Sequence, residues 1–173
     1  MTIIRIYFEQ DPETLLKKYM SVHEHGAELL DFNKIIPMPE KYSSSMHFSG
    51  PDEYLALCRE RDLWCEKNWG TRFNNQPREF AYFLKENMVP MECIDVPFPI
   101  FSQLAKLTKQ KIRITYLHEK YVFWGEAVFN ADGSYNEKRF SDRYSKHNTP
   151  KELDEELGIT DSLNDHSTWD GLG

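Results

Sequence analysis

No apolar run in this 173-residue sequence approaches the roughly 20 residues needed to cross a bilayer, so a membrane-spanning role is not expected. No basic signal-like segment precedes the first extended stretch, and the three cysteines (Cys58, Cys65, Cys93) form no CxxC pair. Both features point to a reducing, cytoplasmic setting. Positive charge is scarce as well. With 21 basic against 28 acidic side chains the formal charge is −7, the wrong sign for a duplex-DNA binder with its basic footprint. The familiar catalytic signatures GxSxG, HExxH and GxxxxGK[ST] are missing. With no nucleophile, base and orienting group marked out together, the chain reads as a non-enzyme that needs no cofactor. Metal binding has no better basis. His23 and His25 fall on different faces if a helix carries them, and Cys58 and Cys65 share a helical stripe with Tyr54, Leu57 and Trp64, as core thiols do.

What is present is ample for a core. A hydrophobic content of 40%, with 14% aromatics, excludes a wholly disordered chain, and the length suits one domain. Thr2–Phe8 is β-branched and aromatic, placing Ile4, Ile6 and Phe8 on one face of a strand. Asp11-Pro12-Glu13 reads as a helix start, followed by Leu15, Leu16, Tyr19, Met20 and His23 at helical spacing to a stop at Gly26. Phe32 to Ile36 reads as a second strand, broken at Pro37 and Pro39. Tyr54, Leu57, Cys58, Arg61, Trp64 and Cys65 predict one stripe of a long helix from Pro51 to a glycine stop at Gly70.

Further on, residues 78–83 and Met88 to Cys93 are extended candidates around a turn at Glu86-Asn87. Pro97-Phe98-Pro99 opens a helix that should bury Ile100, Phe101, Leu104, Ala105 and Leu107. Lys111 to Leu117 and Tyr121 to Asn130 form a hairpin, and Asp132-Gly133 turns the chain into another strand through Phe140. Thr149-Pro150-Lys151-Glu152 has the form of a capping box before a short helix ending at Gly158.

This order predicts an α+β fold: a ferredoxin-like split βαβ sandwich with an inserted helix and an extra C-terminal hairpin. Residues 1–148 would be that domain, with the helical insertion at about 41–75, and its helices covering one face of the sheet. Residues 149–173 would be a short acidic helix and a loose tail. The tail holds seven carboxylates against one lysine, a composition that aids solubility and can mimic phosphate.

The partner class stays open between two readings. Tyr7, Tyr116, Tyr121, Phe123 and Trp124 could stack the bases of a single-stranded nucleic acid, and Lys138, Arg139, Arg143 and Lys146 near Tyr135, Phe140 and Tyr144 could track its phosphates. The glycine expected after the basic residue of the RNA-binding signature is absent from Lys120-Tyr121-Val122-Phe123. The other reading is a protein partner.

Two motifs carry a resemblance. Phe32-Asn33-Lys34-Ile35-Ile36-Pro37-Met38-Pro39 and, downstream, Trp64-Cys65-Glu66-Lys67-Asn68-Trp69-Gly70-Thr71-Arg72-Phe73-Asn74 resemble the FNKIIPMP-like and WxxxNWGTKW[ND]-like segments of the YubB/Api92-like ferredoxin-like domain family. The resemblance spans about Phe32 to Phe129, with Arg72 and Phe73 where the family motif has lysine and tryptophan. Members occur on plasmids, phages and other mobile elements. The resemblance implies an accessory protein of such an element, acting through a macromolecular partner such as a host-defence or anti-defence factor. It brings no catalytic residues. The candidate recognition residues are Asn68, Trp69, Arg72, Asn74 and Trp124, but the favoured reading of the motif is a scaffold in which Asn68, Thr71 and Asn74 bond local backbone and Trp69 packs under the inserted helix, leaving Arg72 exposed.

Overall fold

The structure is a computed structural model that describes residues 1–10, 16–22, 28–43, 50–75, 88–141 and 148–160. The expected helix start at Asp11-Pro12-Glu13, the pair His23 and His25, the extended stretch 78–83, the turn Glu86-Asn87, and Arg143, Tyr144 and Lys146 lie outside the described residues. So does everything after residue 160. The elements in chain order are β1 (Thr2–Phe8), β2 (Met20–Val22), β3 (Glu28–Leu30), α1 (Phe32–Ile35), α2 (Glu40–Ser43), α3 (Pro51–Trp69), β4 (Met88–Cys93), α4 (Phe98–Thr108), β5 (Ile112–His118), β6 (Phe123–Phe129), β7 (Tyr135–Ser141) and α5 (Lys151–Leu157).

Five strands make one antiparallel sheet in the order β4-β1-β5-β6-β7, and β2 pairs with β3 in a separate ribbon. The α+β class holds. Both β4 and β5 run antiparallel to β1, so they are parallel to each other, joined by α4 with β1 between them. That is one split βαβ unit, to which β6 and β7 add a meander.

The register places Thr2, Ile4, Ile6 and Phe8 beside Met91, Val89, Ile114 and Ile112 on one face of the sheet. Against it α4 lays Ile100, Phe101, Leu104 and Ala105, all buried. Each large apolar side chain buried there contributes about 1.5–3 kcal/mol. Leu107, expected on this face, is instead exposed, because it follows Lys106 onto the solvent side of the last turn.

Two other local expectations are overturned. Phe32 to Ile35 is helical rather than extended. Asp31 caps it by accepting the Asn33 amide hydrogen at 3.0 Å, and the Ile36 N–H closes the turn on Phe32 O at 2.8 Å. Phe32 and Ile35, three apart, then bury together. Ile36 returns to extended geometry because Pro37 disfavours the helical region before it. The helix expected to run through Met20 and His23 stops early: after a 3-10 turn at Lys17–Tyr19 the chain becomes β2. Tertiary bonds decide this, since the Asp31 amide donates to Tyr19 O at 2.8 Å and β3 pairs with β2.

The opposite sheet face is also covered. Leu117 and Trp124 pack with Leu153 and Leu157 of α5 and with Ile159 beyond it. The expectation of helices on one face only is therefore corrected. Ile159 is buried, and the expected loose tail otherwise falls on residues 161–173, outside the described residues. The Thr149 capping box does not form either: α5 begins without a side-chain cap, and the Thr149 hydroxyl accepts the Trp124 indole N–H at 2.9 Å. Gly158 does end the helix, at φ 68°.

Candidate functional site

Helix α3 is 19 residues long, yet only Cys65 and Trp69 are fully buried along it. Its predicted stripe turns inward from Leu57 to Cys65, whereas Tyr54, expected on the same stripe, is exposed in the N-terminal turn that projects beyond the core. Gly70 stops it in the left-handed region at φ 78°, where a Cβ would lie 2.9 Å from Pro99 Cδ. This anchors the C-terminal end of the helix against the start of α4.

Trp69 is the anchor itself. It is 2% exposed, meets Phe32 and Trp64 edge to face at centroid distances of 5.9 and 5.6 Å, and donates its indole N–H to Ile36 O at 2.9 Å. That bond ties the two resembling motifs together. Asn74 adds a second tie: its Oδ1 accepts the Phe32 amide at 2.8 Å, and its Nδ2 donates to Asp31 Oδ1 at 2.7 Å. Burial pushes the Asp31 carboxyl up, but hydrogen bonds from Ser21, Asn74 and the Asn33 amide outweigh it and hold it below the usual range. Asn68 donates back to Trp64 O at 2.8 Å, within its own helix.

Of the five expected recognition residues, then, Trp69, Asn68 and Asn74 are committed to local structure. Trp124 is fully buried under α5, which corrects its placement on an open surface. Arg72 is the exposed one, 57% accessible and paired with Glu66. Replacing it should be thermally quiet, since an exposed ion pair contributes little. Arg72→Ala should leave the melting temperature within about 2 °C of wild type in a differential scanning measurement.

Beside Arg72 runs a row that the inward stripe did not reveal. Leu55, Arg59 and Leu63 are spaced i, i+4, i+8 on the outer side of α3, with Leu55 50% and Leu63 66% exposed. Glu66 continues the row and receives Arg72. The exposed Phe73 follows in the chain. The two leucines spaced eight apart on the side of the helix roughly opposite the first stripe were the available signal.

The expected base-stacking aromatics do not form one platform. Tyr116 and Phe123 lie on the α4 side, Tyr7 and Trp124 on the α5 side. Tyr116 is fully buried, its hydroxyl donating to Glu137. The expected phosphate track is engaged as well: Lys138 reaches Glu126 at 3.2 Å, and the Arg139 guanidinium lies 4.2 Å over the Phe123 ring.

On the α5 side a carboxylate is the hub. Glu156 accepts the hydroxyls of Tyr7 and Thr115, each at 2.7 Å, and the Arg113 guanidinium at 2.9 Å. Arg5 donates to the Glu156 backbone carbonyl. Burial pushes the Glu156 carboxyl up, but those three donors and the Arg113 charge hold it below the usual range. Burial and the Glu137 carboxylate push Tyr116 far above the usual phenol, and burial pushes the Cys93 thiol far up, so it is a poor nucleophile.

These shifts set a pH window. Glu156 is lowered on folding, so its contribution is complete above the free-glutamate value of about 4.3 and is lost as pH falls through the folded value. Tyr116 and Cys93 are raised, so theirs are complete below about 10 and 8.5 respectively and are lost as pH rises. Thermal melts across pH should show a plateau with declines below about pH 4 and above about pH 9. Glu156→Gln should flatten the acid decline while leaving the alkaline one.

Among the described residues no group of three His, Cys, Asp or Glu is placed to hold a metal ion, and no helix is long and apolar enough to cross a membrane. Compared with protein-family models, curated proteins and solved structures, the chain matches none.

Proposed function

We propose that this chain is a non-enzymatic accessory protein of a mobile genetic element, a phage or plasmid, that binds a protein partner through the outer side of α3. The partner class fits host-defence or anti-defence factors. One observation carries the reading: an exposed row of Leu55, Arg59 and Leu63, continued by Arg72, on a helix whose fully buried residues, Cys65 and Trp69, lie in its C-terminal turns. Leucine with arginine on a rigid helix suits a groove that is apolar inside and acidic at its rim. The resemblance of the two motifs supports the mobile-element origin, and the split βαβ unit supports kinship with ferredoxin-like folds.

The single-stranded nucleic-acid alternative has less support in this closed form, because Tyr116 and Trp124 are buried and the nearby cations are paired. Affinity capture from a host lysate, read by mass spectrometry, tests the choice. Wild type should retain a protein that Leu63→Asp and Arg72→Glu both lose while melting normally. Retention unaffected by either change, or no specific protein at all, would sink the reading. A salt-sensitive shift of a labelled oligonucleotide with the wild-type chain would favour the alternative.

A further inference from the structure

We propose that α5 is a removable acidic strap and that the sheet face beneath it is a binding surface for single-stranded nucleic acid. The proposal goes beyond the α3 reading and does not depend on it.

The covered face has the required composition. Three rings, Tyr7, Trp124 and Phe140, share it with three cations, Arg5, Arg113 and Lys138. Trp124 and Phe140 are stacked at 6.5 Å with 17° between their planes, and the Arg113 guanidinium lies 5.3 Å over Tyr7. Aromatic platforms interleaved with cations are what a single strand needs, because every base has a face to stack and every linkage a charge to neutralise. Two carboxylates also belong to this face, Glu126 beside Arg113 and Glu92 on the edge strand β4.

What occupies the face now has the charge of the proposed ligand. Helix α5 and its start carry Glu152, Asp154, Glu155 and Glu156 against one lysine, Lys151. Its anchoring carboxylate receives two hydroxyls and a guanidinium from neighbouring strands, with the Arg5 guanidinium on the adjacent carbonyl. Convergent hydroxyl and guanidinium donors around one anion form a site that a backbone phosphate fits as well as a carboxylate does. The strap is lightly held otherwise. Seven residues long, it buries only Leu153 and Leu157, with Ile159 just beyond, in a cluster separate from the main core. Its removal leaves the α4 side of the sheet untouched.

The test uses the full chain and fluorescein-labelled oligothymidylate, read by fluorescence anisotropy. Glu156→Ala removes the anchor, and Glu156→Gln removes its charge while keeping its shape. Either variant, with the near-UV circular dichroism of its aromatic core preserved, should bind at least about ten-fold more tightly than wild type. Affinity should fall with salt, and adding Arg113→Ala should return it to the wild-type level. Variants that keep their fold and bind no better than wild type would overturn the proposal. So would binding that survives Arg113→Ala or ignores salt. If neither variant keeps its near-UV spectrum, α5 is an inseparable part of the fold and no strap exists.

Discussion

Trp69→Ala should be the most damaging single change among the residues of the two motifs, lowering stability by about 3–5 kcal/mol. The indole packs between Phe32 and Trp64, and its truncation leaves a cavity that two edge-to-face rings cannot close. A second loss follows, because Ile36 O is left without the indole N–H. Against a typical total of about 5–15 kcal/mol, the sum brings the domain close to unfolding at growth temperature. Urea melts of Trp69→Ala and Trp69→Phe separate the two losses. Phenylalanine keeps most of the volume, so its cost should be about 1–3 kcal/mol, that of the abandoned carbonyl. A Trp69→Ala protein that melts like wild type would mean that the indole does not clamp α3 to the core.

Trp124→Ala should cost a similar amount, about 3–5 kcal/mol, but distributed differently. Trp124 belongs to the small cluster beneath α5 rather than to the main core. It supplies the broadest surface there and donates to Thr149 at the approach to the helix. Its loss should therefore free α5 before the sheet yields. Hydrogen exchange is the discriminating measurement: amides of α5 should exchange much faster at temperatures where those of β1 and β5 remain protected. Uniform acceleration through sheet and helix alike would show that the two clusters unfold as one unit.

The strands around β1 were legible because their signals are local and redundant. Alternation in Thr2–Phe8, Asp132-Gly133 at the turn and Pro97-Phe98-Pro99 before α4 each fix one element without help from distant residues. The failures share a cause. Phe32 to Ile35 is as good a strand by composition as a helix, and Asp31, a cap on sight, decides it only with the burial that tertiary contacts supply. Thr149 and Glu152 look like a capping box, but the threonine hydroxyl has a tryptophan to satisfy some 25 residues earlier in the chain. The recognition residues divided on the same ground. Nothing in the spacing of Asn68, Trp69 and Asn74 distinguishes a clamp from a contact surface, because side-chain direction after a helix stop depends on what packs against it. The outer row of α3 was legible in principle and was masked by the stronger inward stripe.

The central position of β1 has a kinetic consequence. Both of its neighbours lie far along the chain, Thr2 facing Cys93 on one side and His118 on the other. The meander β5-β6-β7, by contrast, closes through short turns. Loop-closure entropy therefore favours the meander first and leaves β1 to arrive last. Until then Ile3, Ile4, Ile6 and Phe8 belong to an extended segment with two open edges, carrying a single charge at Arg5. Such a segment is an aggregation hazard in the unfolded chain. Refolding yield should fall steeply with protein concentration, and Ile3→Lys, on the side away from α4, should restore it without slowing the first phase.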